Sequence, residues 1–245
     1  MLLQKIQTMV ATLQELRRLP PVTVNLRFAK TRGNDAFFQA TIKNFYDAVN
    51  QRHPKFPLVR RVEYGYAVCD LRGDPRSYSQ RLDSAARRNL KKAIRLGYAF
   101  EVIDYNKHLD GVTAIHQSSQ LRQGRPMPRD LLARRAGPHS NPLSLTNVHD
   151  YPYFGVMKDG TLVAYASCLV AGELCELQTI YGHADFLSDG VVPLLIASIG
   201  DLLPANYPEV RYFAYGTYFG ATETMKRFKR KFLFSPHHVK WVLGG

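Results

Sequence analysis

The sequence predicts an α/β (α+β) chain with a mixed central sheet, an antiparallel meander in its C-terminal half and helices on both faces. Three runs alternate apolar and polar residues around the short turns "KDG" and "AGE", which is typical of antiparallel strands: "PYFGVMKDG", "TLVAYASCLVAG" and "ELCELQTIYGH". The apolar run "VVPLLIASIGDLL" then predicts a buried helix. A strand "EVRYFAYG", a helix "ATETMKRFKRKF" and a strand "HHVKWVLG" follow. The predicted order is β-β-β-α-β-α-β.

The N-terminal half is predicted to be less regular. Residues 1–18 repeat apolar side chains every three or four positions, which predicts an amphipathic helix packed on the body. Lys5 interrupts the apolar stretch, so this segment does not have the pattern of a signal peptide. A strand "PVTVNLRFA", a helix capped by Asn34 or Asp35, and a strand region "VRRVEYGYAVCDL" follow. We divide the chain into an N-terminal extension, 1–60, and a domain, 61–245.

Two further segments precede the meander. A helix is predicted from Pro75 to Gly97, because proline favours a helix start and glycine a helix end. It carries seven basic residues: Arg76, Arg81, Arg87, Arg88, Lys91, Lys92 and Arg95. After a strand "YAFEVIDY" and a helix "KHLDGVTAIHQSSQLR", the Pro- and Gly-rich residues 123–150 predict a long loop with a short helix at Pro128–Ala136.

The composition narrows the classes of partner. A net charge of +13 over 245 residues predicts attraction to polyanions: a nucleic acid such as tRNA or DNA, an acidic carrier protein or an anionic membrane. The three cysteines form no C-x-x-C pair, which indicates core thiols and a cytoplasmic location. No segment is long enough to span a membrane, and no metal site is predicted. Serine-hydrolase and P-loop motifs are absent from the sequence.

The C-terminal half resembles the GNAT acetyltransferase superfamily, and within it the FemAB-like transferases. The likeness rests on the order of elements, on "FGVMKDGTLVAYASCL", on "YGTYFGATETMKRFKRKFLF", and on the basic helix "SQRLDSAARRNLKKAIRLGYAFEV". It implies transfer of an acyl or aminoacyl group to an amine by direct attack, without a covalent enzyme intermediate. The implied donor is an aminoacyl-tRNA or an acyl-CoA, and the acceptor a small-molecule amine.

The donor site implied by the resemblance departs from the usual GNAT pattern. The stretch before the central helix reads "FLSDGVVPLL" and contains one glycine, where acetyl-CoA enzymes carry a glycine-rich loop. Gly190, Val191 and Val192 are the predicted phosphate-binding residues, and Asp189 is expected to cap the helix.

The resemblance also implies a reacting centre on the third meander strand, which splays from the next strand. Glu176 is either the general base or a surface carboxylate, and the main chain at Ile180 is expected to hold the acyl carbonyl. Strand alternation predicts Glu176, Gln178 and Ile180 on one face and Tyr181 on the other. Tyr218 is the preferred acid for the leaving group, or a packing residue, with Tyr181 as a further catalytic candidate.

Other residues are predicted to bind substrate or carrier. Tyr215 flanks the "YGT" turn, and His183 either lines the mouth of the site or caps a turn. Arg122 and Arg125 precede the long loop and suit an acceptor or a phosphate. The helix after "YGTYFG" carries five basic residues, more than one CoA requires, and they suit a larger polyanion: Lys226, Arg227, Lys229, Arg230 and Lys231.

Two alternatives stay open at the level of sequence. The same fold can modify a base of a nucleic acid, or it can be a non-catalytic nucleic-acid-binding module. The sequence leaves the oligomeric state open, including a dimer through the N-terminal helix.

Overall fold

The computed structural model describes residues 14–52, 60–122, 125–219 and 221–244. Its strands are β1 (Pro21–Asn25), β2 (Tyr64–Asp70), β3 (Ala99–Ile103), β4 (Leu121–Arg122), β5 (Arg125–Pro126), β6 (His149–Asp150), β7 (Tyr153–Lys158), β8 (Thr161–Ala171), β9 (Leu174–Gly182), β10 (Tyr212–Thr217) and β11 (Ser235–Val242). Its α-helices are α1 (Ala36–Asn50), α2 (Tyr78–Arg81), α3 (Ser84–Arg95), α4 (Leu109–Gln117), α5 (Arg129–Ala133), α6 (Val191–Asn206) and α7 (Glu223–Lys231).

One mixed sheet organises the described residues. Its strands follow the order β1-β11-β2-β10-β9-β8-β7-β3, and β6 pairs with β8. β7, β8 and β9 form the predicted antiparallel meander, and α6 carries the chain across to β10, which lies parallel to β9. The predicted order of the C-terminal half is therefore confirmed.

Helices cover both faces of this sheet. On one face, α6 buries Leu195 and Ile199 against Phe213 of β10, α2 and α3 flank α6, and α7 contributes Phe228 to the same core. On the other face, α1 packs Ile42 against the β1 and β11 side, and α4 packs Val112 against the β7 and β8 side. The three cysteines are buried and unpaired, which confirms the core positions predicted for Cys168 and Cys175. In the part of the chain that is described, no helix is long and apolar enough to cross a membrane.

The N-terminal segment joins the sheet. Residues 14–17 are helical, but most of the predicted first helix lies outside the described residues. β1 is shorter than predicted and ends at Asn25, where it runs parallel to β11. Asp35, rather than Asn34, caps α1, because its side chain accepts from the Phe37 N–H at 2.8 Å. The division at residue 60 stays a prediction.

The prediction of one helix from Pro75 to Gly97 is wrong, because two cap residues start two separate helices. Ser77 forms a capping box with Gln80 at the start of α2, and the Asp83 side chain accepts from the Ala86 N–H at the start of α3. Leu82 lies between them in an extended conformation, with its side chain buried. The predicted end is right: α3 stops at Arg95, and Gly97 has a positive φ of 81°.

The long loop contains the predicted short helix, α5. It also contains two features that the sequence did not indicate: a small hairpin of β4 and β5 before α5, and the strand β6 after it. The hairpin lies beside the end of β9, since Arg122 donates to the Ile180 carbonyl.

Candidate active site

Two neighbouring strands of the sheet separate at its centre. β9 and β10 pair from Leu174–Tyr212 to Glu176–Ala214, and then β9 continues to Gly182 without β10 beside it. β10 stays paired with β2, with a register shift between Ala214 and Thr217. This gap confirms the predicted splay between the third meander strand and the next strand.

The predicted distribution of side chains on β9 is wrong, because a bulge interrupts the strand. β8 pairs Ser167 with Thr179 but Cys168 with Leu177, so Gln178 is the extra residue. Ile180 packs with Leu177 in the core beneath α6, whereas the Glu176 carboxyl reaches toward Tyr66, whose ring belongs to the core on the opposite face. Glu176 and Ile180 therefore do not share a face.

A cavity of about 490 Å³, cavity I, opens where the strands part. Its wall combines the split strands with the first turns of α7 and one side chain of the β4–β5 hairpin: Arg125, Glu176, Leu177, Gln178, Tyr215, Gly216, Thr217, Phe219, Ala221, Thr222, Met225 and Lys229. Glu176, Tyr215, Arg125 and Lys229 from the sequence prediction thus come together in one cavity.

Glu176 is a buried carboxylate, not the surface group that was its alternative. It is 4% exposed, and the Gly216 N–H donates to Oε1 at 3.0 Å. Oε2 makes no hydrogen bond of standard geometry within the described residues, although the Tyr66 hydroxyl is near enough to stabilise the carboxylate. Burial raises the pKa of Glu176 to about 7, against the smaller lowering by Tyr66, the Gly216 N–H and the Lys229 charge. A carboxylate with this pKa is poised to exchange a proton at neutral pH.

Lys229 is the second ionisable group of cavity I, and its position corrects the prediction of an exposed basic cluster. It is 5% exposed, and its Nζ donates to the main-chain carbonyls of Tyr215 (2.5 Å) and Thr217 (2.7 Å). Burial lowers the pKa of Lys229 to about 8, partly offset by the Glu176 charge. Lys229 therefore faces the reacting centre and cannot contact a polyanion on the surface. It shares a helix face with Met225 and Phe232, at spacings of four and three residues.

A second, more apolar cavity of about 640 Å³, cavity II, lies beside the first. The two cavities share Tyr215, Thr222 and Met225. Cavity II runs from α7 past Ile180, Tyr181 and Gly182 to Val192 and Pro193 at the start of α6. An elongated, mainly apolar ligand can thus extend from cavity I to the N-terminus of α6.

Arg122 and Tyr181 form the far wall of cavity II. The Arg122 guanidinium lies 3.8 Å from the centre of the Tyr181 ring. The ring also meets His116 of α4, whose Nε2 is 2.6 Å from the Tyr165 hydroxyl. Burial lowers the pKa of His116, with a smaller contribution from Arg122, so its imidazole is neutral at pH 7. Arg122 thus holds the end of β9 in place and has one face toward the cavity.

The N-terminus of α6 differs from the prediction for Asp189. Gly190, with a positive φ of 89°, is the N-cap, and as a glycine it has no side chain with which to cap the helix. Asp189 instead accepts from the Tyr98 hydroxyl at 2.8 Å and pairs with Lys92 of α3 at 3.0 Å. A β-carbon at Gly190 would lie 2.5 Å from the Asn89 carbonyl oxygen, so glycine is required there.

The phosphate-binding prediction for Gly190, Val191 and Val192 stays a prediction. Val192 lines cavity II, whereas Val191 is fully buried in the core. Pro193 follows and has no N–H to offer. The start of α6 therefore presents few donors to an anion.

Four further predicted site residues line neither cavity: Tyr218, Arg230, His183 and Lys226. Tyr218 is buried in the core, and its hydroxyl accepts from Arg230 Nη1 at 2.8 Å. His183 caps the short 3₁₀ helix Ala184–Asp189, which was its alternative role. Lys226 pairs with Glu223 at 2.9 Å. Among the candidates for contact with substrate, Tyr215 is therefore better placed than Tyr218. The sequence reasoning missed Tyr66, His116, Thr222 and Met225.

Comparison with known proteins identifies the fold. No protein-family model matches the chain, and no curated protein does either. Among solved structures, FemX matches 73% of this chain and 60% of its own, at 8% identity and a TM-score of 0.52. The chain has a GNAT-like fold of the FemAB type, as the resemblance implied.

Two other solved structures are similar at lower TM-scores. One is a tandem GNAT protein from the clavulanic acid biosynthesis pathway, at 15% identity, 71% and 50% coverage, and a TM-score of 0.45. The other is the C-terminal domain of a protein described as a lysylphosphatidylglycerol synthetase from Agrobacterium fabrum, at 19% identity, 71% and 58% coverage, and 0.43. The chain spans about half to three fifths of the length of these structures.

Proposed function

We propose that the protein is an acyltransferase that moves an acyl or aminoacyl group from a carrier to an amine, with Glu176 as general base. One observation carries the proposal: a buried carboxylate with a pKa of about 7 lies where two neighbouring strands of a GNAT-like sheet part. A buried carboxylate that forms no salt bridge costs stability, and its place beside Lys229, whose pKa is also shifted, supports a chemical role.

The proposed reaction has one transfer step. Glu176, directly or through water, takes a proton from the amine, whose nitrogen attacks the acyl carbonyl carbon. The bond from that carbon to the sulfur or oxygen of the carrier then breaks, and the leaving atom takes a proton. We assign this proton donation to Tyr215, because it lines both cavities, in place of Tyr218. The main chain of β9 at the bulge is the proposed donor to the oxyanion.

The carrier is proposed to be large and anionic, with aminoacyl-tRNA ahead of acyl-CoA. The start of α6 has few free N–H groups, and the Asp189 carboxylate lies beside it, which disfavours a pyrophosphate held there alone. Arg125 reaches cavity I from the hairpin and suits a carboxylate or phosphate of a substrate.

Calorimetry with acetyl-CoA, and a gel-shift assay with an aminoacyl-tRNA, test the choice of donor. We expect the aminoacyl-tRNA to bind and to be deacylated by an added amine, and acetyl-CoA to show no micromolar binding. Micromolar binding of acetyl-CoA would assign the donor to CoA. Binding of tRNA or DNA without transfer from either donor would favour the non-catalytic module, and modification of the nucleic acid itself would favour the base-modifying alternative.

A row of cations on α3 supports a nucleic-acid carrier. Arg87, Arg88, Lys91 and Arg95 are exposed, and none forms an ion pair with another described residue. They lie near the start of α6, since Gly190 of that helix contacts Asn89 of α3. Unpaired cations at this spacing suit successive phosphates.

Reversal of two of these charges, Arg88→Glu with Lys91→Glu, is expected to weaken tRNA binding and to flatten its salt dependence. The slope of log K against log salt should become shallower by about 1.5, since each lost phosphate contact contributes roughly 0.7 to 0.9. Lys43→Glu is the control, because Lys43 pairs with Asp47 on α1, on the opposite face of the sheet. An unchanged slope in the double variant would place the nucleic acid elsewhere.

A further inference from the structure

A third cavity lies on the other face of the sheet, between α1 and α4, and has no part in the proposed proton transfer. Its volume is about 670 Å³. Residues 130–140 of the long loop close one side of it. We call it cavity III. Aromatic rings from α1, from the 3₁₀ turn Tyr105–His108 and from the sheet side line it together: Phe37, Tyr105, Tyr151, Tyr153 and Tyr165.

These rings contact one another around the cavity. Phe37 meets Tyr151 at 5.8 Å between ring centres, Tyr151 meets Tyr153 at 5.8 Å, and Tyr153 meets Tyr105 at 4.8 Å. Tyr105 then meets Tyr165 at 5.9 Å. Such contacts fix the orientation of each ring before a ligand arrives, so binding costs little side-chain conformational entropy.

The charges around cavity III leave its interior suited to a cation. The two arginines at the rim are matched by acids: Arg134 lies 3.9 Å from Asp130, and Arg135 lies 2.7 Å from Asp110. His116, on the wall shared with cavity II, is neutral, because burial lowers its pKa. The Tyr105 and Tyr153 hydroxyls donate to no other described residue, and burial raises the pKa of both, so they stay uncharged.

We propose that cavity III binds an organic ammonium group. A set of electron-rich rings attracts a cation to their faces, and alkylammonium groups are the ligands that such cages recognise. The free hydroxyls of Tyr105 and Tyr153 supply oxygen acceptors for N–H groups. The same protein already holds one cation in this way nearby, since Arg122 lies over the Tyr181 ring.

The position of cavity III connects it with the transfer site. His116 and Tyr181 line both cavity II and cavity III, so the two cavities share one wall at the end of β9. Ammonium binding in cavity III does not depend on the proposed transferase function.

The test compares two probes of equal shape, choline and its uncharged analogue 3,3-dimethyl-1-butanol, by calorimetry on the full chain. We expect choline to bind at least about fivefold more tightly, because cation–π attraction acts on it alone. Equal or tighter binding of the alcohol would overturn the proposal, since the cavity would then select for apolar surface only. This comparison uses the unaltered protein and does not depend on any variant folding.

Two variants place the binding in cavity III. Tyr105→Leu is expected to abolish the preference for choline, while Tyr64→Leu, which removes a ring stacked on His238 outside the cavity, should leave it unchanged. Equal effects of the two substitutions would overturn the assignment to cavity III. Glu176→Gln should bind choline as the parent does, so failure of this site and failure of the transfer reaction give different results.

Discussion

Glu176→Gln is expected to reduce acyl transfer by at least about 100-fold, because the substitution removes the only proton acceptor that the mechanism uses while keeping the size of the side chain. The measurement is kcat with a saturating amine, from pH 6 to 9. The parent enzyme should gain activity as the pH rises through about 7, the pKa of Glu176 in the folded protein. The Glu176→Gln variant should show a low kcat that no longer rises with pH through this range.

The matched control is Glu223→Gln, which removes an exposed carboxylate at the start of α7. It should keep parental turnover within about twofold. A Glu176→Gln variant with parental turnover would show that another group removes the proton, and the assignment of cavity I as the reacting centre would fall.

A stability measurement checks the burial of Glu176 independently of any substrate. Its pKa is raised from 4.5 to about 7 on folding, so the protonated form fits the native state, and its stabilising effect is lost as the pH rises from about 4.5 to 7. That window corresponds to roughly 3 kcal/mol of unfolding free energy. Denaturant titrations across it should show this fall in the parent and not in Glu176→Gln. A parental slope in the variant would mean that Glu176 titrates as an exposed group.

Lys229→Met is expected to move the rise in activity to higher pH by about one unit and to lower turnover at pH 7 by roughly fivefold. The Lys229 ammonium group helps to keep Glu176 ionised, because its charge lowers the pKa that burial raises. Without this charge, the pKa of Glu176 rises further. Above the shifted pKa, the variant should recover much of its rate. Recovery separates this positioning role of Lys229 from a direct part in the chemistry.

Lys226→Met is the control for Lys229, because it removes the same charge from the same helix but from a side chain paired with Glu223. Its pH profile should match that of the parent. Equal shifts in both variants would mean that the total charge of α7, rather than the buried ammonium, sets the pKa. Loss of rate in Lys229→Met at every pH would instead assign Lys229 a catalytic proton.

Much of the fold follows from patterns that the sequence carries locally. The meander was predictable because alternation and short turns define β7, β8 and β9, and the crossover because α6 is apolar around most of its surface. The break at Leu82 was readable in principle, since Ser77 with Gln80 and then Asp83 are two successive start signals. The hairpin of β4 and β5 was not, because two-residue strands have no period.

The site was harder to predict, because its geometry depends on long-range contacts. The bulge at Gln178 reverses the alternation after Glu176, and only the pairing with β8 reveals it. The five cations of the run "KRFKRK" were all assigned to a polyanion, whereas Lys229 is buried on the same side of the helix as Phe232. The sequence signal for the burial of Lys229 was its spacing from Met225 and Phe232, which places the three residues on one helix face. Tyr66 lies more than a hundred residues from Glu176 in sequence, and nothing local connects them.

The separation of β9 from β10 also has a mechanical consequence. The sheet consists of two panels, one ending in β10 and the other in β9, joined by three residue pairs from Leu174–Tyr212 to Glu176–Ala214. Widening the gap would break no strand pairing beyond this short seam. The helix α6 packs on strands of both panels, so the seam and α6 together hold them in place. Glu176 lies at the inner end of the seam, where the pairing of β9 with β10 stops.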